Sequence, residues 1–327
     1  MIAITGAAGL IGSALVWHCN RQGRSDLLLV DALGRSDKFR NLAGLDFSDY
    51  LEREEWESRL ESGALPGLEA VVHLGACSNT TERDGSWLMR NNFGSSRLAA
   101  GYCLARGIRL IYASSAATYG DGRQGYDDAL EGMARLRPLN KYAFSKHAFD
   151  LWAWRSGALA TITGLKYFNV FGPNEYHKGD MRSLVVKAWE QIQADGCVRL
   201  FQSNTPAYAD GEQQRDFLYV KDAVAMTAWF LEHPEAAGIY NLGSGTARSW
   251  NDLVGAIFAA LGRPARIEYI PMPASLQAAY QNHTCAELGR LRRAGCGIAA
   301  RPLEAAVEDY VRNYLAPGAW LQPSDPG

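Results

Sequence analysis

Short apolar runs alternate with longer amphipathic segments through the first half of this chain. The runs 2–4 (IAI), 27–30 (LLLV), 70–74 (AVVHL) and 109–113 (RLIYA) are apolar at consecutive positions rather than at every second one. That is how a parallel strand covered on both faces reads. Helical spacing falls at 10–20, 54–60 and 87–106, and a short strand at 45–47. This alternation predicts an α/β fold with a doubly wound parallel sheet. Asn140 can cap a helix over 141–154, and 163–167 adds a strand. From about residue 183 the pattern loosens. Helices to 195 and 232 and over 251–261 and 303–315 alternate with strands at 198–200, 216–220 and 239–242. The expected organisation is a first domain over 1–170, to which segments of about 215–245 return, and a smaller α/β domain over 171–315. A frayed tail over 316–327 holds three prolines and two glycines.

Ligands of such sheets bind at the carboxyl ends of the strands. The first run ends there in Gly6, Gly9 and Gly12, with Leu10 and Ile11 opening the next helix. Gly6 lets the chain turn tightly, and Gly9 has no Cβ to keep a pyrophosphate from the main chain. The first helical N–H groups then face the anion. The spacing is Gly-x-x-Gly-x-x-Gly, not the commoner dinucleotide one. The second run ends in Asp31, 19 positions after Gly12, where a carboxylate can accept hydrogen bonds from an adenosine ribose. The first domain therefore reads as a Rossmann-like NAD(P)-binding unit. Cofactor choice pulls two ways: Asp31 suits the free 2′-hydroxyl of NAD, while Arg35 and Lys38 offer cations to the 2′-phosphate of NADP.

Composition narrows the classes. The net charge of −2 over 327 residues gives no electrostatic case for nucleic-acid or membrane binding. No apolar run approaches the roughly 18–20 residues that span a bilayer. Met1 begins directly on a strand, so no signal peptide and a cytoplasmic protein are expected. The six cysteines form no CxxC pair and read as reduced thiols, with no metal site. Cys77, just past a strand end, reads first as a small buried filler and otherwise as a group near a cofactor.

Tyr142 and Lys146 lie four apart on the helix that Asn140 opens, so both project from one face. A phenol with an ordinary pKa of about 10 is a poor base at neutral pH, and a nearby ammonium is expected to lower it. The same lysine can hold a nicotinamide ribose, and the Ser115 hydroxyl can bond the reacting oxygen. That trio suits moving a proton off an alcohol while a hydride leaves its carbon.

The segments TGAAGLIG, SSAATYG and YAFSK resemble the extended short-chain dehydrogenases/reductases, which act on nucleotide sugars. GACSNTTE (75–82), NNF (91–93), KYFNVFGPNEYHKGDM (166–181), RDFLYV (215–220) and YNLGSG (240–245) narrow the resemblance to the family of ADP-heptose 6-epimerases, over about 1–315. The resemblance implies an isomerase. NADP oxidises the C6″ alcohol of ADP-D-glycero-β-D-manno-heptose to a ketone, and the hydride returns to the other face. Two proton-handling groups are then needed, and the family's pair matches Tyr142 and Lys178. Lys178 is inherited from the resemblance, because a loop lysine otherwise reads as a solvated charge.

Further matches imply that Lys38, Arg53, Leu74, Gly75, Ala76, Cys77, Ser78, Asn91 and Val170 serve the cofactor, together with Ala32 beside Asp31. Asn169, Asp180, Lys187, Phe201, Gln202, Ser203, Asn204, Arg215 and Tyr280 would serve the ADP-sugar. Arg215 suits a diphosphate clamp, or else a surface ion pair with Asp216. The chain departs from the family pattern at Ala32 (asparagine), Arg53 (lysine), Leu74 (glutamate), Asp180 (serine) and Lys187 (histidine). The resemblance further implies a homo-oligomer, a pentamer, and a product destined for the lipopolysaccharide inner core. Of the rivals, a dehydratase would carry an Asp-Glu pair where Ala116 and Ala117 stand. A 4-epimerase would share the trio, and a non-catalytic NADP-binding regulator would lack the Tyr-Lys pair.

Overall fold

The computed structural model describes residues 1–65, 67–277 and 280–325. Seven strands form the central sheet: β1 (Ile2–Thr5), β2 (Leu27–Asp31), β3 (Asp49–Glu52), β4 (Ala70–His73), β5 (Arg109–Ser115), β6 (Thr163–Tyr167) and β10 (Gly238–Leu242). Their order is β10-β6-β5-β4-β1-β2-β3, and every pairing is parallel. Alternate residues feed two cores. Ile2, Ile4, Leu27, Leu29 and Val72 pack on one face; Ala3, Leu28, Val30 and Val71 pack on the other. Both faces are covered, which is why the strands are apolar throughout. Helix α1 (Leu10–Arg21) belongs to the first core. α2 (Arg53–Ser62), α3 (Gly85–Leu88), α4 (Ser95–Arg106) and α5 (Lys141–Arg155) lie on the second side. The chain winds outward in both directions from β1 and β4, so the switch point and its crevice lie between those strands.

The smaller part is built on two short sheets. β7 (Asn169–Phe171) and β11 (Ala247–Ser249) flank β9 (Gln214–Tyr219), and β8 (Val198–Phe201) pairs with β12 (Ile267–Ile270). Helices α6 (Leu184–Asp195) and α8 (Trp250–Ala260) pack there, while α7 (Val220–Glu232) packs on α1. Of the segments expected to return to the main sheet, only β10 joins it as a strand. β9 pairs instead with β7 and β11, and its Asp216 accepts backbone N–H groups of Ser244, Gly245 and Ala286.

Three further expectations are corrected. The strand expected at 45–47 lies at Asp49–Glu52. The helix expected over 87–106 is interrupted by a π-helical stretch, Met89–Gly94. There the buried Asn92 side chain bonds the main chain of Cys77 and the Ser145 hydroxyl. The tail is docked, not frayed. Leu321 is buried, its N–H bonds Asn174 Oδ1, the Gln322 carbonyl accepts from Trp17 Nε1, and Tyr176 bonds the Ala319 carbonyl. Trp320 and Leu321 supply apolar contacts that a count of prolines hides. Residues 326–327 of that segment lie outside the described residues.

Candidate active site

A cleft of about 1340 Å³ opens over the carboxyl ends of β1, β2, β4 and β5, between the main sheet and the smaller part. It exceeds the roughly 300–1,000 Å³ of a pocket for one small ligand.

One half is a phosphate cradle. Gly6 has φ +68, and a Cβ there would lie 2.8 Å from the Gly75 nitrogen. Gly9 begins α1 with no side-chain cap, leaving the first N–H groups to an incoming anion. Asp31 accepts the N–H of Ala8 (2.7 Å) and Ala32 (2.7 Å) and the Lys38 ammonium (2.6 Å). It thus braces the glycine turn while presenting Lys38. Arg53 reaches Asn91 Oδ1. Arg53 Nε and Trp56 Nε1 are buried at this end of the cleft without a partner among the described residues. A cradle open to backbone approach, a cation at the ribose end and two orphaned donors fit a dinucleotide. Leu10, Ile11, Gly12, Leu74, Gly75, Ala76, Cys77, Ser78, Asn91 and Val170 line the same cleft.

Ser115, Tyr142, Lys146 and Lys178 line the cleft beyond the cradle. Asn140 caps α5 by accepting the Ala143 N–H at 2.8 Å, as its position predicts. Tyr142 and Lys146 follow on successive turns and line the cleft with Ser115, which ends β5. Lys146 donates to the Ala113 carbonyl at 2.9 Å. Burial pulls its pKa down to about 8, against the opposing pull of Asp150. Burial raises Tyr142, opposed by a hydrogen bond with Ser115. The expected lowering of that phenol does not prevail against burial, and the Lys146 ammonium is turned to the Ala113 carbonyl. Lys178 lies in the turn Tyr176–Met181 and is half-buried in the cleft. Burial lowers its pKa and Glu175 opposes. Tyr142 and Lys178 are thus both driven toward their neutral forms, a phenol that can give a proton and an amine that can take one.

At the other end, Arg215 is 7% exposed. Its guanidinium lies 5.4 Å from the Trp250 ring centre and 5.1 Å from that of Tyr280. It donates to the Gln214 carbonyl (2.8 Å) and makes no ion pair among the described residues, since Asp216 faces backbone amides. The surface-pair reading is excluded. Asn169, Asp180, Lys187, Phe201 and Tyr280 line this half, with Lys187 donating to the Asp180 carbonyl at 2.6 Å. Gln202, Ser203 and Asn204 do not line it. The Ser203 N–H donates to Asp210 Oδ1 and the Asn204 amide donates to the Gln277 carbonyl. Thr80, Trp87, Met181, Trp250 and Gln281 line the cleft unforeseen. They come from loops and element ends, where periodicity carries no signal.

Residues 2–243 match the NAD dependent epimerase/dehydratase family. The ADP-L-glycero-D-manno-heptose-6-epimerase of Nitratidesulfovibrio vulgaris is 52% identical over 317 residues, covering 97% of this chain and 98% of the relative. The solved structure of the Helicobacter pylori enzyme of that name superposes with a TM-score of 0.79 at 27% identity, covering 95% of each chain. A UDP-N-acetylglucosamine 4-epimerase from Methanobrevibacter ruminantium shares the fold, with TM-score 0.82, 21% identity and 97% and 98% coverage. The chain belongs to the NAD dependent epimerase/dehydratase family and, within it, to the ADP-L-glycero-D-manno-heptose-6-epimerases.

Proposed function

We propose that this protein converts ADP-D-glycero-β-D-manno-heptose into its L-glycero epimer through a 6″-keto intermediate, with NADP as the retained cofactor. One observation carries the reading: a single cleft unites a dinucleotide cradle, the Ser115–Tyr142–Lys146 trio, a desolvated Lys178 and an unpaired Arg215. Bound in the cradle, the nicotinamide cofactor supplies the hydride acceptor and donor. Ser115 holds the reacting oxygen. One of Tyr142 and Lys178 takes the hydroxyl proton as the alcohol is oxidised. The other gives a proton to the oxygen when the ketone has turned its opposite face. Lys146 holds the ribose, Lys38 meets the 2′-phosphate, and Arg215 clamps the diphosphate. Asp180 and Lys187 bond sugar hydroxyls. Ala116 and Ala117 flank Ser115 with no acid for eliminating water, which favours epimerisation over dehydration. The same reading carries a cytoplasmic homo-oligomer, a pentamer, that supplies lipopolysaccharide inner-core synthesis.

The test is to incubate purified protein with the D-glycero substrate and no added cofactor, then separate the epimers chromatographically. Conversion without net NADPH formation is expected. No conversion, with dinucleotide still released on denaturation, refutes the sugar assignment.

A further inference from the structure

Below the Tyr142–Lys146 pair lies a carboxylate that the proposed chemistry does not use. Tyr142, Lys146 and Asp150 are spaced by four along α5, so they stand one turn apart on one face. Asp150 is 0% exposed. Tyr112 donates to its Oδ1 at 3.0 Å and Ser114 to its Oδ2 at 2.6 Å, both from β5. Lys166 Nζ, from β6, is 3.8 Å from Oδ2. A charge sealed from water is costly unless it is paired and hydrogen-bonded, and apolar packing would serve stability as well. The same stretch of β5 provides the Ala113 carbonyl that holds Lys146, and Ser115 itself. Lys166 continues the link. It donates to Thr118 Oγ1 at 2.9 Å, whose hydroxyl donates to the Ser115 carbonyl at 2.7 Å.

We infer that Asp150 is a positioning residue for the Tyr142–Lys146 pair: its carboxylate locks the end of β5 to α5 and supplies the buried counter-charge of the Lys146 ammonium. This rests on the active-site reading above. Lys146 faces Asp150, the Cys77 thiol and His73, which burial keeps neutral. Asp150 faces Lys166 and also acts on Tyr119 and Tyr142. Lys166 is further influenced by Asp128 and itself acts on His147. Asp150 is therefore the carboxylate acting on Lys146. Its charge pushes both Lys146 and Tyr142 upward, and its loss moves both downward.

The test uses the holoenzyme. Asp150→Asn keeps the shape and removes the charge. Because it leaves Lys166 unpaired in the core, the double change Asp150→Asn with Lys166→Met is made beside it, and Lys146→Met in parallel. kcat and KM are followed from pH 6 to 9. Both Asp150 variants are expected to keep KM within about twofold. The alkaline fall in kcat should begin about one pH unit lower, giving roughly fivefold loss relative to the parent at pH 8 that recovers toward pH 6. A uniform loss at every pH, or a parental profile in the folded double variant, overturns the inference. A parental profile for Lys146→Met removes the Tyr142–Lys146 reading, and the inference with it.

Discussion

Lys38 is the residue on which cofactor choice should turn. Its ammonium is 2.6 Å from Asp31, and the two side chains are 18% and 9% exposed. Lys38→Met removes one positive charge and leaves the Asp31 carboxylate, still held by two backbone N–H groups, at the ribose end. A unit charge about 4 Å from a phosphate charge gains roughly 1 kcal/mol in water and about 4 kcal/mol at an effective dielectric near 20. The pair is partly open to solvent, so the lower part of that range applies, about 1–2 kcal/mol. That is roughly 5- to 30-fold in affinity for NADP. NAD presents a free hydroxyl there, which the released carboxylate can accept, so its affinity should hold or improve. Both dinucleotides would be titrated against cofactor-free protein by tryptophan fluorescence, at low and high salt. The NADP loss should shrink as salt screens it. Equal loss for NADP and NAD, or no change in their ratio, would refute the assignment of Lys38 to the 2′-phosphate.

Tyr142→Phe and Lys178→Met should each lower epimerisation by about 10²-fold or more, with bound cofactor retained; near-normal turnover in either would end the two-group assignment. Arg215→Met should raise KM for the nucleotide sugar roughly 10- to 150-fold while melting temperature holds or rises, because a desolvated, unpaired cation is removed. An unchanged KM with lower melting would make Arg215 structural. Burial holds the His73 pKa down to about 3, so the unfolded chain takes up a proton below about 6.5 that the folded chain refuses. Its contribution to stability is complete above pH 6.5 and falls by about 1.4 kcal/mol per pH unit below it. Denaturant titrations between pH 7.5 and 5 should lose one proton's worth of slope in His73→Asn, and an identical slope would contradict the buried neutral imidazole.

The central sheet was readable because its strands are buried on both faces, so their hydrophobicity needs no register to be seen. Asn140, Tyr142 and Lys146 were readable because capping and helical spacing are local. Lys178 was not. Its turn follows Asn174, whose φ is +75, and Glu175, which accepts from the Ser183 hydroxyl at 2.7 Å. Asn174 is further fixed by Ser13 and Leu321. Those partners lie at opposite ends of the chain, and no window of sequence contains them. Arg215 was ambiguous for a related reason. Whether it pairs with Asp216 depends on where the loop 244–245 sits, and that loop takes Asp216 for itself. The resemblance named Gln202, Ser203 and Asn204 by matching motif; here the Ser203 N–H is held by Asp210 and the Asn204 amide by the Gln277 carbonyl.

The distribution of buried cations gives the electrostatic logic of the cleft. Away from it, Lys166 is matched by Asp150 and Lys221 by Asp309, while the desolvated Arg109 is held by backbone carbonyls of Thr161, Phe230 and Ala236. In the cleft, Lys178 and Arg215 are desolvated and make no ion pair among the described residues, whereas Lys146 has the charge of Asp150 acting on it. A desolvated cation without a counter-charge destabilises the folded chain. A protein of net charge −2 has carboxylates enough to pair them. Lys178 and Arg215 share this crevice with a helix N-terminus that offers further positive potential, an arrangement suited to binding anions. A dinucleotide and a nucleoside-diphosphate sugar bring that charge on their phosphates, while the reacting sugar carbon between them carries none. This arrangement gathers positive charge where phosphates would lie, while burial drives Tyr142 and Lys178 toward their neutral forms.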